Sequence, residues 1–281
     1  MIQITTDQFE QLLPFVGTAS EDVFHKMQPS FEEEYRQLVE NVIGEDFETE
    51  ADTGGSPLQG YVRNYVILST FLLRLRSNDL VMTDTGFGIV SSDNIAPASQ
   101  SRVDALEREL LYKRDSALFG VINQLRRIEG WSETIQAVTN IKSFIWCPQL
   151  LRRWLGAYHN VTSDDLAKKQ KDIEQAERFL RRELSDAQIE ELLAEERKAT
   201  YKNSHRTAIF RICNFIGASV SDKDTPVFPP DSSMQAFSQV LSFIEEHISD
   251  FPKYKESTSY KANHMQAYEN KTDDTTFFFS C

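Results

Sequence analysis

Residues 61–76 read Tyr-Val-Arg-Asn-Tyr-Val-Ile-Leu-Ser-Thr-Phe-Leu-Leu-Arg-Leu-Arg. Apolar residues occupy most sides of this run at helical spacing, so it predicts a helix at the centre of its domain. A second long run, residues 101–127, carries Val103, Leu106, Leu110 and Leu111, then Ala117, Leu118, Val121, Ile122 and Leu125 on one face. Ser99 and Ser101 offer caps at its start. Two such runs close together point to a mainly α chain.

On the N-terminal side, Glu48–Gly60 holds three glycines and a proline in thirteen residues and reads as a loop. Before it, Phe31, Tyr35, Leu38, Val39 and Val42 make an apolar stripe that predicts a helix over 30–43. Glu32, Glu33 and Glu34 fall in its first turn, where the helix dipole favours negative charge. A short amphipathic stretch at 7–15 follows the capping candidates Thr5 and Thr6. Residues 1–56 carry 13 acidic and 2 basic residues, a net of −11, out of −13 for the whole chain. That concentration reads as a solvated face or as an acidic patch for a basic partner.

On the C-terminal side, residues 81–91 carry Gly86 and Gly88 between apolar pairs and predict a short β-hairpin or an extended loop. The second half repeats the order of parts. A short helix is expected within 143–158, and a long one after the caps Thr162 and Ser163. A further helix over 187–218, a Pro-rich loop at 219–233 and a helix over 234–248 follow. An apolar helix, a connection and an amphipathic helix thus recur as 61–76, 77–100, 101–127 and as 204–218, 219–233, 234–248. The expectation is two tandem helical units, 1–140 and 141–252. A flexible C-terminal tail, 253–281, ends Phe277-Phe278-Phe279-Ser280-Cys281. Three consecutive aromatic residues favour burial by roughly 1.5–3 kcal/mol each. Phe277, Phe278 and Phe279 are therefore the candidate partner-binding residues, packing either on this chain or as an added strand on a neighbour.

Length and composition bound the rest. At 281 residues, 40% hydrophobic and 26% charged, the chain has an ordinary soluble globular balance and can bury a core without metal or disulfide staples. The net charge argues against a broad phosphate-binding surface, so nucleic acid is not an expected partner. No apolar run reaches the ~18 residues of a membrane helix, and no basic region followed by an apolar stretch opens the chain. Cys147, Cys213 and Cys281 are far apart in the chain, which gives no disulfide framework or CxxC pair. The first two sit among apolar neighbours and read as buried, inert thiols. The histidines His25, His159, His205, His247 and His264 are each several helical turns from the next, so no helical metal-ligand pair exists. No catalytic, cofactor or metal residues are assigned.

Three motifs tempt. Asp-Thr-Gly occurs at 52–54 and 84–86, but the first copy follows the acidic stretch 48–50 where an aspartic protease has an apolar strand, the second is followed by Phe87 where a small residue is needed, and the two stand too close together in the chain for two β-rich lobes. Gly86-Phe87-Gly88 lacks the third glycine of a dinucleotide fingerprint. The basic clusters at 126–127, 152–153, 168–171 and 181–182 are in several cases interleaved with acids, as on solvated helix faces.

Residues 81–123 also resemble an uncharacterised family found in structural-gene clusters of phages and prophages of Bacteroidetes. The resemblance rests on the hydrophobic helix 61–76, Thr83–Ile89, Ala96-Pro97-Ala98-Ser99, the Arg114-Asp115 pair within a helix, and the aromatic end Phe277–Phe279. It implies a non-enzymatic role in virion assembly, similar to helical head–tail connector or head-completion proteins. The implied partners are portal, capsid or tail proteins and other copies of the chain. The implied location is the virion, or the bacterial cytoplasm during assembly. Two alternatives stay open at this point: a ligand-binding protein or enzyme with a site built from scattered residues, and a helical nucleic-acid-binding or regulatory protein.

Overall fold

The computed structural model describes residues 2–75, 80–83, 86–89, 99–155, 160–221 and 231–265. The chain is mainly α. In order, α1 (Thr6–Leu12), α2 (Ser20–Leu38), α3 (Glu48–Asp52) and α4 (Pro57–Arg74) precede β1 (Leu80–Thr83) and β2 (Gly86–Ile89). The strands pair antiparallel with Leu80 opposite Ile89 and Thr83 opposite Gly86. Then come α5 (Gln100–Leu125), α6 (Ile135–Asn140), α7 (Pro148–Leu151), α8 (Ser163–Glu183) and α9 (Asp186–Lys198). The series closes with α10 (His205–Ser221), α11 (Asp231–Glu246), α12 (Pro252–Lys255) and α13 (Thr258–Asn263).

Local chemistry sets the helix starts. Thr5 and Gln8 form a reciprocal capping box on α1, and Thr162 and Asp165 form another on α8. Ser56 accepts from the Gln59 amide at 3.1 Å and is followed by Pro57 in the first turn of α4, where its missing N–H costs nothing. Ser99 stands at the N-cap of α5, but its side chain makes no capping bond and meets the Ser101 hydroxyl instead, at 3.2 Å.

Buried side chains fall into two clusters. The first spans residues 2–147 and packs α1, α2, α4 and α5 around Trp131, whose indole N–H donates to the Val42 and Ile43 carbonyls at 3.2 and 3.0 Å. The second spans 144–254 and packs α8, α9, α10 and α11 around Phe215, Phe251 and Tyr254. In the first, α4 lies closest along α5. Gly120 makes that approach possible, because a Cβ there would strike the Tyr61 ring. In the second, α10 lies along α11. Residues 143–147 connect the two. Phe144 and Ile145 enter the second cluster, while Trp146 and Cys147 enter the first.

Four expectations are corrected. The loop expected over 48–60 shrinks to 53–56, because 48–52 forms α3 and the Ser56 cap with Pro57 starts α4 four residues before Tyr61. The helix expected from residue 30 starts ten residues earlier and runs through Pro29, because Phe24 and Phe31 pack with Phe9 and with each other on either side of the proline, and Met27 is buried in the same cluster. Burial of three apolar side chains outweighs the roughly 3 kcal/mol that an interior proline costs a helix. The single helix expected over 187–218 is two. Ala199 ends α9 in the left-handed conformation at φ 49°, and α10 restarts at His205. The flexible tail expected from residue 253 begins with structure: Tyr254 is fully buried, and its ring meets Tyr260 edge-on at 5.3 Å. The Tyr254 amide donates to Gln188 Oε1 at 3.1 Å, and the Ser259 hydroxyl donates to the Glu183 carbonyl. Two aromatic anchors hold a stretch whose other residues are mostly polar.

Candidate functional site

The charged and polar side chains that are buried mostly hold elements together. Arg126, at the C-terminal end of α5, is 7% exposed and reaches from the first cluster into the second. Its guanidinium pairs with Glu196 Oε1 at 2.9 Å and donates to the Glu196 carbonyl and to the Tyr201 hydroxyl. Glu196 also accepts from the Trp146 indole at 3.1 Å and from Tyr201 at 2.8 Å, so both carboxylate oxygens are hydrogen-bonded. Trp146 stacks on Phe119, and Arg126 sits 5.5 Å from the Trp146 ring centroid. Burial, then the Glu196 charge, pushes the Tyr201 phenol up to about 12, so it remains a donor.

Three more groups follow the same pattern. Asp115, on α5, receives the backbone N–H of Ser163 at 2.6 Å and so caps the start of α8, with Arg114 bridging Asp115 and the Ser163 hydroxyl. The Arg-Asp pair noticed in the sequence is thus an inter-helix clamp. Glu177 accepts from the Phe144 amide at 2.8 Å, and burial pushes its carboxyl up to about 7. His205, fully buried, lies with Nδ1 2.9 Å from Glu195 Oε2 and Nε2 2.8 Å from the Asp250 carbonyl, and stacks on Phe251.

The tempting motifs resolve as local structure where they are described. Asp52-Thr53-Gly54 ends α3, with the Thr53 hydroxyl donating to the Thr49 carbonyl and Gly55 at φ 75°. The Asp84-Thr85 copy lies outside the described residues, as do Phe277, Phe278 and Phe279, His159 and Cys281. Cys147 is buried, its thiol pushed up to about 12, and burial raises Cys213 as well. Neither is a ready nucleophile. Lys168 and Lys169 pair with Asp165 and Asp172, and Arg181 with Asp186 and Glu190. That spends much of the basic stripe on α8. Among the described residues no three His, Cys, Asp or Glu side chains converge as a metal site, and no helix is long and apolar enough to cross a membrane.

What the described surface does offer is apolar. Ile135 is 71% exposed and Val138, three residues on, stands on the same side of α6 and is also exposed. Phe210 projects from α10 at 51% exposure. An acidic groove of about 470 Å³ runs beside α2, bordered by Glu32, Glu40, Glu45 and Glu48 around Tyr35 and Arg36.

Residues 13–141 are similar to a family of unknown function, DUF6712. The DUF6712-like segment covers most of the first cluster, including Ile135, Val138, Asp115 and Arg126, and stops just before the connecting residues 143–147. The second cluster lies beyond it. No curated protein and no solved structure matches the chain. Sequence reading missed Arg126, Glu196, Asp115 and Glu177 as organising residues. The partners through which they join separate elements stand 33 to 75 residues away in the chain, beyond any local spacing rule.

Proposed function

We propose that this chain is a non-enzymatic assembly protein of a phage or prophage virion, acting in head–tail joining or head completion. Its partners would be portal, capsid or tail proteins and further copies of itself. The observation that carries the reading is the exposed apolar pair Ile135 and Val138, with Phe210, on a body whose buried ionic groups are largely engaged in holding helices together. Exposed apolar side chains suit association by shape and apolar contact. The resemblance of residues 81–123 to proteins of phage structural-gene clusters supplies the setting. The place of action would be the virion, or the bacterial cytoplasm during assembly.

The test is co-purification with the portal, capsid and tail proteins encoded beside it, with solution mass measured in parallel. Replacing Ile135 and Val138 by Asp should abolish association and leave the melting temperature within the change expected of surface substitutions, about 0.5 kcal/mol each. A chain that stays monomeric with every one of these proteins overturns the reading.

A further inference from the structure

A second cavity, of about 550 Å³, opens between α2, α4 and α5 and is bordered by Glu33, Glu34, Ser69, Thr70, Glu107 and Arg114. Two of its hydroxyls depart from the way serine behaves in the other helices of the chain. Ser116, Ser219 and Ser221 each turn their hydroxyl back onto the carbonyl four residues earlier, the usual habit of serine within a helix. Ser69 and Thr70, 6% and 0% exposed on α4, do not, and their hydroxyls have no hydrogen-bond partner. Buried polar groups are normally satisfied, so two adjacent exceptions on one cavity wall call for a reason.

Glu34 lies on the same cavity wall. It is 9% exposed, and among the described residues it forms no salt bridge. Burial, then the charge of Glu33, raises its pKa, and Arg114 opposes that only in part. The guanidinium of Arg114 is committed to Asp115 at 2.7 Å and to the Ser163 hydroxyl at 2.9 Å. Arg74, also on the cavity rim, donates to the Ser30 hydroxyl at 2.9 Å. Glu33 and Glu34 therefore face one another's charge without a dedicated cation. A positively charged donor in this space would relieve burial and repulsion together and give the two hydroxyls a partner.

We propose that this cavity binds an alkylammonium or guanidinium group, with Glu34 as its counter-charge and Ser69 and Thr70 as neutral acceptors. The group is carried by a free small amine or by a lysine or arginine side chain of another protein. This stands independently of the assembly role.

The experiment uses the full chain and calorimetric titration with three probes. These are agmatine, an acetylated and amidated Gly-Lys-Gly peptide, and 1,5-pentanediol as an uncharged control. Saturable binding of agmatine, of the peptide, or of both is the supporting result, and the responding probe identifies the source. Glu34→Gln should weaken that binding about tenfold or more, the scale of losing one partner of a buried charge pair. Ser69→Ala, whose fold is secure because it removes an unsatisfied hydroxyl, should weaken it by a smaller factor. No binding of either cation overturns the proposal. So does equal affinity in wild type and both variants, or binding of the diol as tightly as the amines.

Discussion

Glu177 shows at the residue scale how burial turns a common side chain into a pH-sensitive one. Its carboxylate holds the Phe144 amide in the stretch that joins the two clusters. Burial raises it to about 7, the Phe144 hydrogen bond and Arg181 oppose that, and Glu174 and Glu190 add to it. Because the folded protein holds this proton more tightly than the unfolded chain, its stabilising contribution is fully present below about pH 4.5. It is lost as pH rises through about 7. The loss amounts to about 3 kcal/mol on the pKa difference alone. Glu177→Gln keeps an oxygen to accept from Phe144 and carries no charge to bury. The variant should therefore melt higher than wild type at pH 8 and close to it at pH 4. Thermal melts at several pH values check this, and a constant gap across the range would contradict it.

At the scale of elements, periodicity made the long helices legible and missed the places where packing overrides it. The apolar faces of α4, α5 and α11 repeat at helical spacing, and all three form. Pro29 is different: a helix-breaker in sequence, it lies inside α2 because Phe24 and Phe31 face a common apolar neighbour in Phe9. The break at Ala199 carries no glycine or proline to announce it, and Tyr254 anchors a segment whose composition reads as unstructured. The polar clamps were invisible for a related reason. Asp115 gives no local sign that it will cap a helix starting 48 residues later. Pro29 also permits a test. It is exposed, so Pro29→Ala restores a backbone donor to the Glu-rich helix without disturbing the core. The gain should be about 2 kcal/mol, the helix-interior cost less the loss of proline's restraint on the unfolded chain. Urea denaturation would report it as a higher midpoint at unchanged slope, and a lower midpoint would show that the bend itself is needed.

For the whole molecule, what matters is how two clusters act as one body. Residues 143–147 divide their side chains between them, and Arg126 crosses from α5 to Glu196 at the far end of α9. A buried ion pair is weak evidence of stability in itself, because desolvating both charges offsets much of their attraction. Its consequence here is coupling. Arg126→Ala would strand the Glu196 carboxylate with only Trp146 and Tyr201 as donors, at a cost of about 3–5 kcal/mol. The loss falls on the contact between the clusters, so calorimetry should show one melting transition becoming two. Glu196→Gln alone should cost less, since the amide oxygen still accepts from Trp146. In the double variant no buried charge remains unpaired, so the combined loss should be smaller than the sum of the single losses, by a margin beyond the scatter expected of independent sites. Additive losses with a single transition in every variant would mean that the apolar residues of 143–147 join the clusters and that Arg126 merely fills space between them.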